Sequence, residues 1–389
     1  MREYLFILVV AAAVTYLTTP LVRRIARRIG AITPVRDRDV HSVPIPRMGG
    51  TAILLGFVVA FVTASQMPFL SQVFVKDRAP YGVLLGAVAV CALGVADDLW
   101  GLDALTKLAG QALAAGLMAW QGIELAYLPV AGMTIVSSGS VLLLTVVAVV
   151  VTINAVNFID GLDGLAAGVV GIAASAFFVY SYLLSRDISD SNGLGDYSSL
   201  ASLIMASLVG CCLGFLPHNF NPARIFMGDS GSMLLVLLLA SSTIAITGQI
   251  DPTVVSEKTA IPAFFPLVLP FAVLALPLVD LGLAVVRRAR AGRMPWTPDA
   301  KHLHHRMLAL GHSHVSAVLI LYLWTATAAF GVASAAFLDL GTTVALGVVA
   351  VTVAMTLTLG PLRGGRRRRR REAAEVAQRD RSGRPTVSL

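Results

Sequence analysis

The chain has 389 residues, 56% of them hydrophobic and 13% charged, with mean hydropathy +0.78 and a formal net charge of +8. These proportions exclude an ordinary soluble globular domain and a disordered chain, and they indicate a membrane protein. Cys91, Cys211 and Cys212 all sit within apolar stretches, which excludes a disulfide framework and a cysteine-based metal motif; they read as small core residues.

A hydrocarbon core of about 30 Å needs roughly 20 apolar residues per helix. Eleven such stretches are expected, at about 4–22, 48–66, 81–96, 104–120, 139–158, 164–185, 199–216, 231–247, 263–286, 315–338 and 342–361. The first is too long for the apolar region of a signal peptide and has no small-residue cleavage site, so it is expected to be retained. The ninth contains Pro262, Pro266, Pro270 and Pro277, which membrane helices tolerate when packing re-satisfies the backbone. The expected fold is an all-α, polytopic integral membrane helical bundle. Its transmembrane catalytic domain spans 1–361, followed by a basic, disordered cytoplasmic tail at 362–389.

Basic residues are unevenly placed. Arg23, Arg24, Arg27, Arg28, Arg36, Arg38 and Arg47 follow the first stretch, and Arg287, Arg288, Arg290, Arg293, Lys301 and Arg306 follow the ninth. The run Arg366 to Arg371 follows the eleventh, whereas the alternate loops hold only Lys76, Arg78, Arg186 and Lys258. The asymmetry predicts an outer N-terminus, an inner C-terminus and an odd number of spans. An arginine run directly after a membrane helix anchors topology and touches anionic lipid, so no nucleic-acid partner is expected.

Polar residues gather in five short clusters. DRDVHSVPIPRMGG (Asp37 to Gly50) includes His41 and Arg47. In ADDLWGLDALTK (Ala96 to Lys107), Asp97 and Asp98 end the third stretch. Adjacent carboxylates cannot share one helix face, so they are expected to fan toward different partners, with Lys107 at the next helix start as a phosphate-binding cation. In NAVNFIDGLDGL (Asn154 to Leu165), offsets of three put Asn154, Asn157 and Asp160 on nearly one helical stripe, with Asp163 just beyond. Oxygen ligands without cysteine suit Mg2+ or Mn2+, and a structural Asn/Asp turn is the plainer alternative. In NFNPARIFMGDSGS (Asn219 to Ser232), Asp229 is either a helix N-cap or a metal ligand, and the neighbouring clusters favour the metal. Phe226 either stacks on a nucleobase or anchors its loop. DAKHLHHR (Asp299 to Arg306) brings His302, His304, His305 and Arg306 together without a zinc pattern, and phosphate oxygens fit it better.

With eleven spans, all five clusters fall in or beside inner loops, at 23–47, 97–103, 159–163, 217–230 and 287–314. Acidic residues cost several kcal/mol near a bilayer core and are kept mainly where they act. A transporter would place them near the midplane, whereas convergence at one surface predicts an active site. Acidic metal ligands, phosphate-binding cations and a nearby bilayer suit phosphoryl transfer between a soluble nucleotide and a lipid.

The ADD pair, NxxNFxDGxDGLA, FMGDSGS and HLHHR, in this order, resemble the polyprenyl-phosphate N-acetylhexosamine-1-phosphate transferases over about 1–361. HLHHR after Pro298-Asp299 is similar to the GlcNAc-1-phosphate branch rather than the phospho-MurNAc-pentapeptide branch, and GLDALTKxAGQ and FLPHNF are similar to actinobacterial members. The resemblance implies transfer of GlcNAc-1-phosphate from UDP-GlcNAc to polyprenyl phosphate in the bacterial plasma membrane, at the cytoplasmic face, with UMP released. It implies Mg2+ on Asn157 and Asp229, with Asp160 near the metal. Asp97 and Asp98 would serve the acceptor phosphate, Asp97 as candidate base, and Lys107 would hold phosphate. Asp163 and Phe226 would contact uracil, and Asn154 would help bind substrate. His302, His304, His305 and Arg306 would face the diphosphate and sugar, with His41 and Arg47 in the substrate cleft and a homodimer as the common assembly. Val236 departs from the pattern, where relatives commonly have Gly.

Overall fold

The structure is a computed structural model that describes residues 1–33, 44–125, 138–156, 162–192, 198–247, 307 and 311–381. Among these residues the chain forms eleven helices: α1 (Arg2–Arg28), α2 (Gly49–Gln66), α3 (Gln72–Lys76), α4 (Ala79–Trp100), α5 (Ala104–Trp120), α6 (Ser138–Val156), α7 (Leu165–Asn192), α8 (Leu200–Asn219), α9 (Gly228–Thr247), α10 (His314–Ala335) and α11 (Leu340–Arg381). The one extended feature is a two-residue antiparallel pair, β1 (Ile32–Thr33) with β2 (Ile45–Pro46), in the α1–α2 connection. The polytopic helical bundle expected from the apolar runs is the fold observed.

Eight helices are long and apolar enough to cross a membrane: α1, α2, α4, α7, α8, α9, α10 and the first half of α11, Leu340–Gly360. Two further expected spans, α5 and α6, are apolar helices at the lower limit of that length. α5 has 17 residues and the apolar part of α6 covers Gly139–Asn154. At 1.5 Å per residue the 17 residues of α5 reach about 25 Å and the 19 of α6 about 28 Å, close to the roughly 30 Å core. Both pack within the bundle, α5 against α4 and α6 against α5 and α9. The expected ninth span, 263–286, lies outside the described residues. The short α3 was not expected; it caps the turn between α2 and α4.

α9 is buried along nearly its whole length and forms the central post, with α2, α4, α6 and α8 around it. Close packing relies on small residues. On α8, a Cβ at Gly210 would lie 2.8 Å from Ala11 Cβ and one at Gly214 3.0 Å from Ala12 Cα, so this four-residue glycine spacing lets α1 lie against α8. Val236, the departure from the family pattern, is accommodated at 1% exposure within α9. Large exposed apolar side chains, including Leu17, Leu21, Leu346 and Val349, line the outer faces of α1 and α11 as expected of surfaces that meet lipid.

Helix α11 continues through the arginine run to Arg381, where the sequence predicts a disordered tail. Residues 372–381 (EAAEVAQRDR) contain neither Gly nor Pro and are mostly strong helix formers, and they follow Gly360-Pro361 and Gly364-Gly365 within the same helix.

Candidate active site

The site forms where the ends of α2, α4, α5, α6, α7 and α9 meet. α4 runs past the expected boundary at 96, so Asp97 and Asp98 lie on its last turn, which Gly101 closes in the left-handed conformation (φ 66°). The two carboxylates diverge. Asp97 Oδ1 accepts from Leu102 N–H at 2.8 Å, and Asp97 Oδ2 lies 2.6 Å from Lys107 Nζ. Asp98 turns instead to α9, accepting from Asp229 N–H at 3.0 Å, Ser230 N–H at 3.2 Å and the Ser230 hydroxyl at 2.9 Å. The first amides of a helix have no partner inside it, and here a carboxylate from another helix takes them. Asp229 is therefore not the cap of its own helix, and its side chain is free to point elsewhere. Its Oδ2 lies 2.6 Å from the same Lys107 ammonium.

Lys107 can bridge the two acids because α5 starts at a fixed point. Asp103 caps it, with one carboxylate oxygen accepting from Leu105 and Thr106 N–H at 3.0 Å each. The Thr106 hydroxyl and amide, with the Leu105 amide, hold the exposed Asp103 carboxyl below the usual carboxylate range. One turn on, Lys107 faces α4 and α9.

The α1–α2 connection closes the site from the other side. Gly49 N–H donates to Phe226 O at 3.0 Å, Gly50 N–H to Met227 O at 2.9 Å, and Phe226 N–H to Pro46 O at 2.8 Å. Arg47, on this stretch, is close enough to Asp229 to stabilise its charge. The approach is so close that a Cβ on Gly50 would lie 2.5 Å from Gly231 Cα, and one on Gly94 of α4 would lie 2.6 Å from the Asp229 carbonyl carbon. Three of the five sequence clusters thus meet around residues 226–231.

The remaining expected residues divide as follows. Asn154, near the end of α6, donates to Gln111 Oε1 at 2.6 Å, which ties α6 to α5 one turn beyond Lys107. Asp163 is 1% exposed, and its Oδ2 accepts from Asn221 Nδ2 and Ala223 N–H at 3.0 Å each, so it holds the α8–α9 loop. Phe226 is half-buried on that loop. His41, Asn157, Asp160, His302, His304, His305 and Arg306 lie outside the described residues.

Two carboxylates, Asp97 and Asp229, thus share the Lys107 ammonium, while Asp98 is held by the start of α9. Among the described residues no group of three or more His, Cys, Asp or Glu side chains could hold a metal by itself. Mg2+ does not require one: it is commonly held by one or two carboxylates together with substrate phosphates. Of the two expected ligands, Asp229 presents its carboxylate beside Lys107 and fits such a site, and Asn157 lies outside the described residues.

Comparison with known proteins identifies the chain. It is 44% identical over 366 residues, 93% of this chain and 90% of the relative, to the decaprenyl-phosphate N-acetylglucosaminephosphotransferase of Mycobacterium tuberculosis. The chain belongs to the polyprenyl-phosphate N-acetylhexosamine-1-phosphate transferases. The family model described as glycosyl transferase family 4 matches residues 80–247, the stretch from α4 to α9. An undecaprenyl-phosphate alpha-N-acetylglucosaminyl 1-phosphate transferase of Haemophilus influenzae is 30% identical over 315 residues, 79% of each chain. A phospho-N-acetylmuramoyl-pentapeptide-transferase of Mycolicibacterium vanbaalenii is 29% identical over 278 residues, 63% of this chain and 76% of the relative.

Sequence reasoning gave no structural role to three residues of this family site. Gln111 is 1% exposed and joins Asn154 to the core; its signal was a lone amide four residues after Lys107 in an apolar helix. Ser230, within FMGDSGS, and Gly94, just before the Asp97–Asp98 pair, act through α4–α9 contact, which no local pattern records.

Proposed function

We propose that the chain transfers GlcNAc-1-phosphate from UDP-GlcNAc to polyprenyl phosphate, giving polyprenyl-diphosphate-GlcNAc and UMP, in a Mg2+-dependent reaction. The observation that carries this reading is the Lys107 ammonium held 2.6 Å from both Asp97 and Asp229. An anchored cation between two acids, at the edge of a membrane bundle, suits a reaction whose reactants are a lipid phosphate and a nucleotide diphosphate.

An oxygen of the lipid phosphate attacks the phosphorus that carries GlcNAc, and the bond from that phosphorus to the oxygen bridging to the uridylyl phosphate breaks, so UMP leaves with the electron pair. Such a transition state is loose and needs positioning and countercharge more than covalent help. Lys107 and Arg47 supply countercharge to the phosphate oxygens. Asp97 is placed to receive a proton from the lipid phosphate where that group arrives monoprotonated. Asp98 fixes α9 so that Asp229 faces Lys107. Asp163 and Phe226 border the uracil through the loop they share. Asn157, Asp160, His302, His304, His305 and Arg306 complete the metal, diphosphate and sugar contacts, with His41 at the cleft. Mg2+, held by Asp229 and Asn157, would neutralise charge developing on the leaving phosphate. The positive-inside distribution of arginine supports a cytoplasmic site on the bacterial plasma membrane.

The test is incubation of purified protein with polyprenyl phosphate, Mg2+ and sugar-labelled UDP-GlcNAc. UMP release with lipid-extractable label, abolished by chelation and by Asp229→Ala, is the expected result. UDP release would mean ordinary glycosyl transfer and overturn the mechanism. Turnover of UDP-MurNAc-pentapeptide in place of UDP-GlcNAc would move the chain to the sister branch.

A further inference from the structure

Away from the site, the C-terminal end of α1 meets the turn after α8. His218, near the end of α8, has Nε2 3.1 Å from Tyr16 O, and its ring lies 4.8 Å from the Tyr16 ring, tilted by 32°. Arg224 N–H donates to His218 O at 2.9 Å, which brings Arg224 back beside the same junction. The charged groups felt by Arg23 are Arg27 and Arg224, and those felt by His218 are Arg224 and Arg23. Among the described residues no carboxylate acts on either, and Arg23 Nε is buried with no hydrogen-bond acceptor. Folding therefore brings together three arginines, from positions some 200 residues apart, without a counter-ion among the described residues. Mutual repulsion and a buried unsatisfied donor both cost free energy, and an anion between the side chains would relieve both.

The surroundings indicate which anion. Val9, Tyr16 and Arg23 recur at intervals of seven with Arg27 one turn further, so they share one face of α1. Val9 is 60% and Tyr16 48% exposed, and Leu213 on the adjoining α8 is 54% exposed. An apolar track thus leads along the helix pair to the arginines, in the geometry of an acyl chain beneath a phosphate. A soluble phosphate would leave that track unexplained. We propose that Arg23, Arg27 and Arg224 form a binding site for the phosphate of an anionic phospholipid, whose acyl chain lies along Val9, Tyr16 and Leu213. Bound there, the lipid ties α1 to the turn whose next contact, Ala223 N–H to Asp163, leads toward Phe226 and Asp229. The site is independent of the proposed transferase chemistry.

The test is native mass spectrometry of the full chain in neutral phosphatidylcholine micelles titrated with phosphatidylglycerol. The double variant Arg23→Gln/Arg224→Gln is compared with Arg24→Gln/Arg28→Gln, which removes equal charge from other faces of the same helix end. At about a factor of five per interfacial arginine, the first variant is expected to bind the first phosphatidylglycerol roughly thirtyfold more weakly, while the control stays near wild type. Equal weakening in both variants would reduce the effect to diffuse surface charge, and no weakening in the first would remove the site; either overturns the proposal. Displacement of the lipid by excess inorganic phosphate or UMP would reassign the arginines to a soluble anion and also overturn it. If the double variant loses its thermal transition, the exposed Arg224→Gln alone carries the test, with a roughly fivefold weakening expected.

Discussion

Gly94→Ala tests whether helix contact, rather than the acids alone, sets the site geometry. The added Cβ would lie 2.6 Å from the Asp229 carbonyl carbon, and closer still to the Ser230 backbone, where ordinary contact begins at 3.4 Å. Backbone cannot rotate away as a side chain can, so α4 and α9 must separate by roughly 1 Å at this level, and overpacking of this kind costs about 1–3 kcal/mol. The Asp98 bonds to Asp229 N–H (3.0 Å) and Ser230 N–H (3.2 Å) would lengthen, and Asp229 would move relative to the Lys107 ammonium now 2.6 Å away. A displacement of about 1 Å in a positioned group can cost roughly a hundredfold in rate. The expected outcome is a chain that still inserts and purifies as a monodisperse species while kcat for UMP release falls roughly a hundredfold. The assay is UMP release at saturating substrates in lipid nanodiscs. Activity within about threefold of wild type, with an unchanged thermal midpoint, would show that α4 and α9 are not held in this contact and would refute the argument.

Lys107→Met should leave Asp97 and Asp229 facing each other without their shared cation; loss of turnover of about 10²–10³-fold is expected, at the scale of a removed charge stabiliser, measured as kcat in the same assay. Ser230→Ala removes one of three donors to Asp98 and should lower stability by about 1 kcal/mol, while Asp98→Ala leaves two α9 amides without their acceptor and should cost more, about 1–3 kcal/mol for each buried group; thermal midpoints of the two variants give the order. Asp103→Ala should fray the start of α5. Because capping holds the Asp103 carboxyl below its ordinary value, its contribution is present above the unfolded carboxylate range and is lost as pH falls below about 4. The gap in thermal midpoint between wild type and Asp103→Ala should therefore narrow on acidification, and a gap that widened would contradict the cap.

The sequence by itself determined the helices and much of the site's membership. Long apolar runs have no stable alternative to helix in a bilayer, because every backbone group must be satisfied internally. The polar clusters stand out against those runs; three of them meet around residues 226–231, and Asp163 of a fourth holds the loop that leads there. Even the divergence of Asp97 and Asp98 follows from their adjacency on a helix. Run length ended α4 a turn too soon, because Asp97 and Asp98 are polar residues that still lie on its last helical turn. Only the tertiary structure decided which acid does what. Asp98 lies 131 residues from the amide of Asp229, and that contact exists because Gly94 and Gly50 let three backbones approach where any side chain would hold them apart. Gln111, Ser230 and the arginine cluster at Arg224 owe their roles to the same kind of long-range approach. Local periodicity records which face of a helix is buried; it does not record what lies across that face.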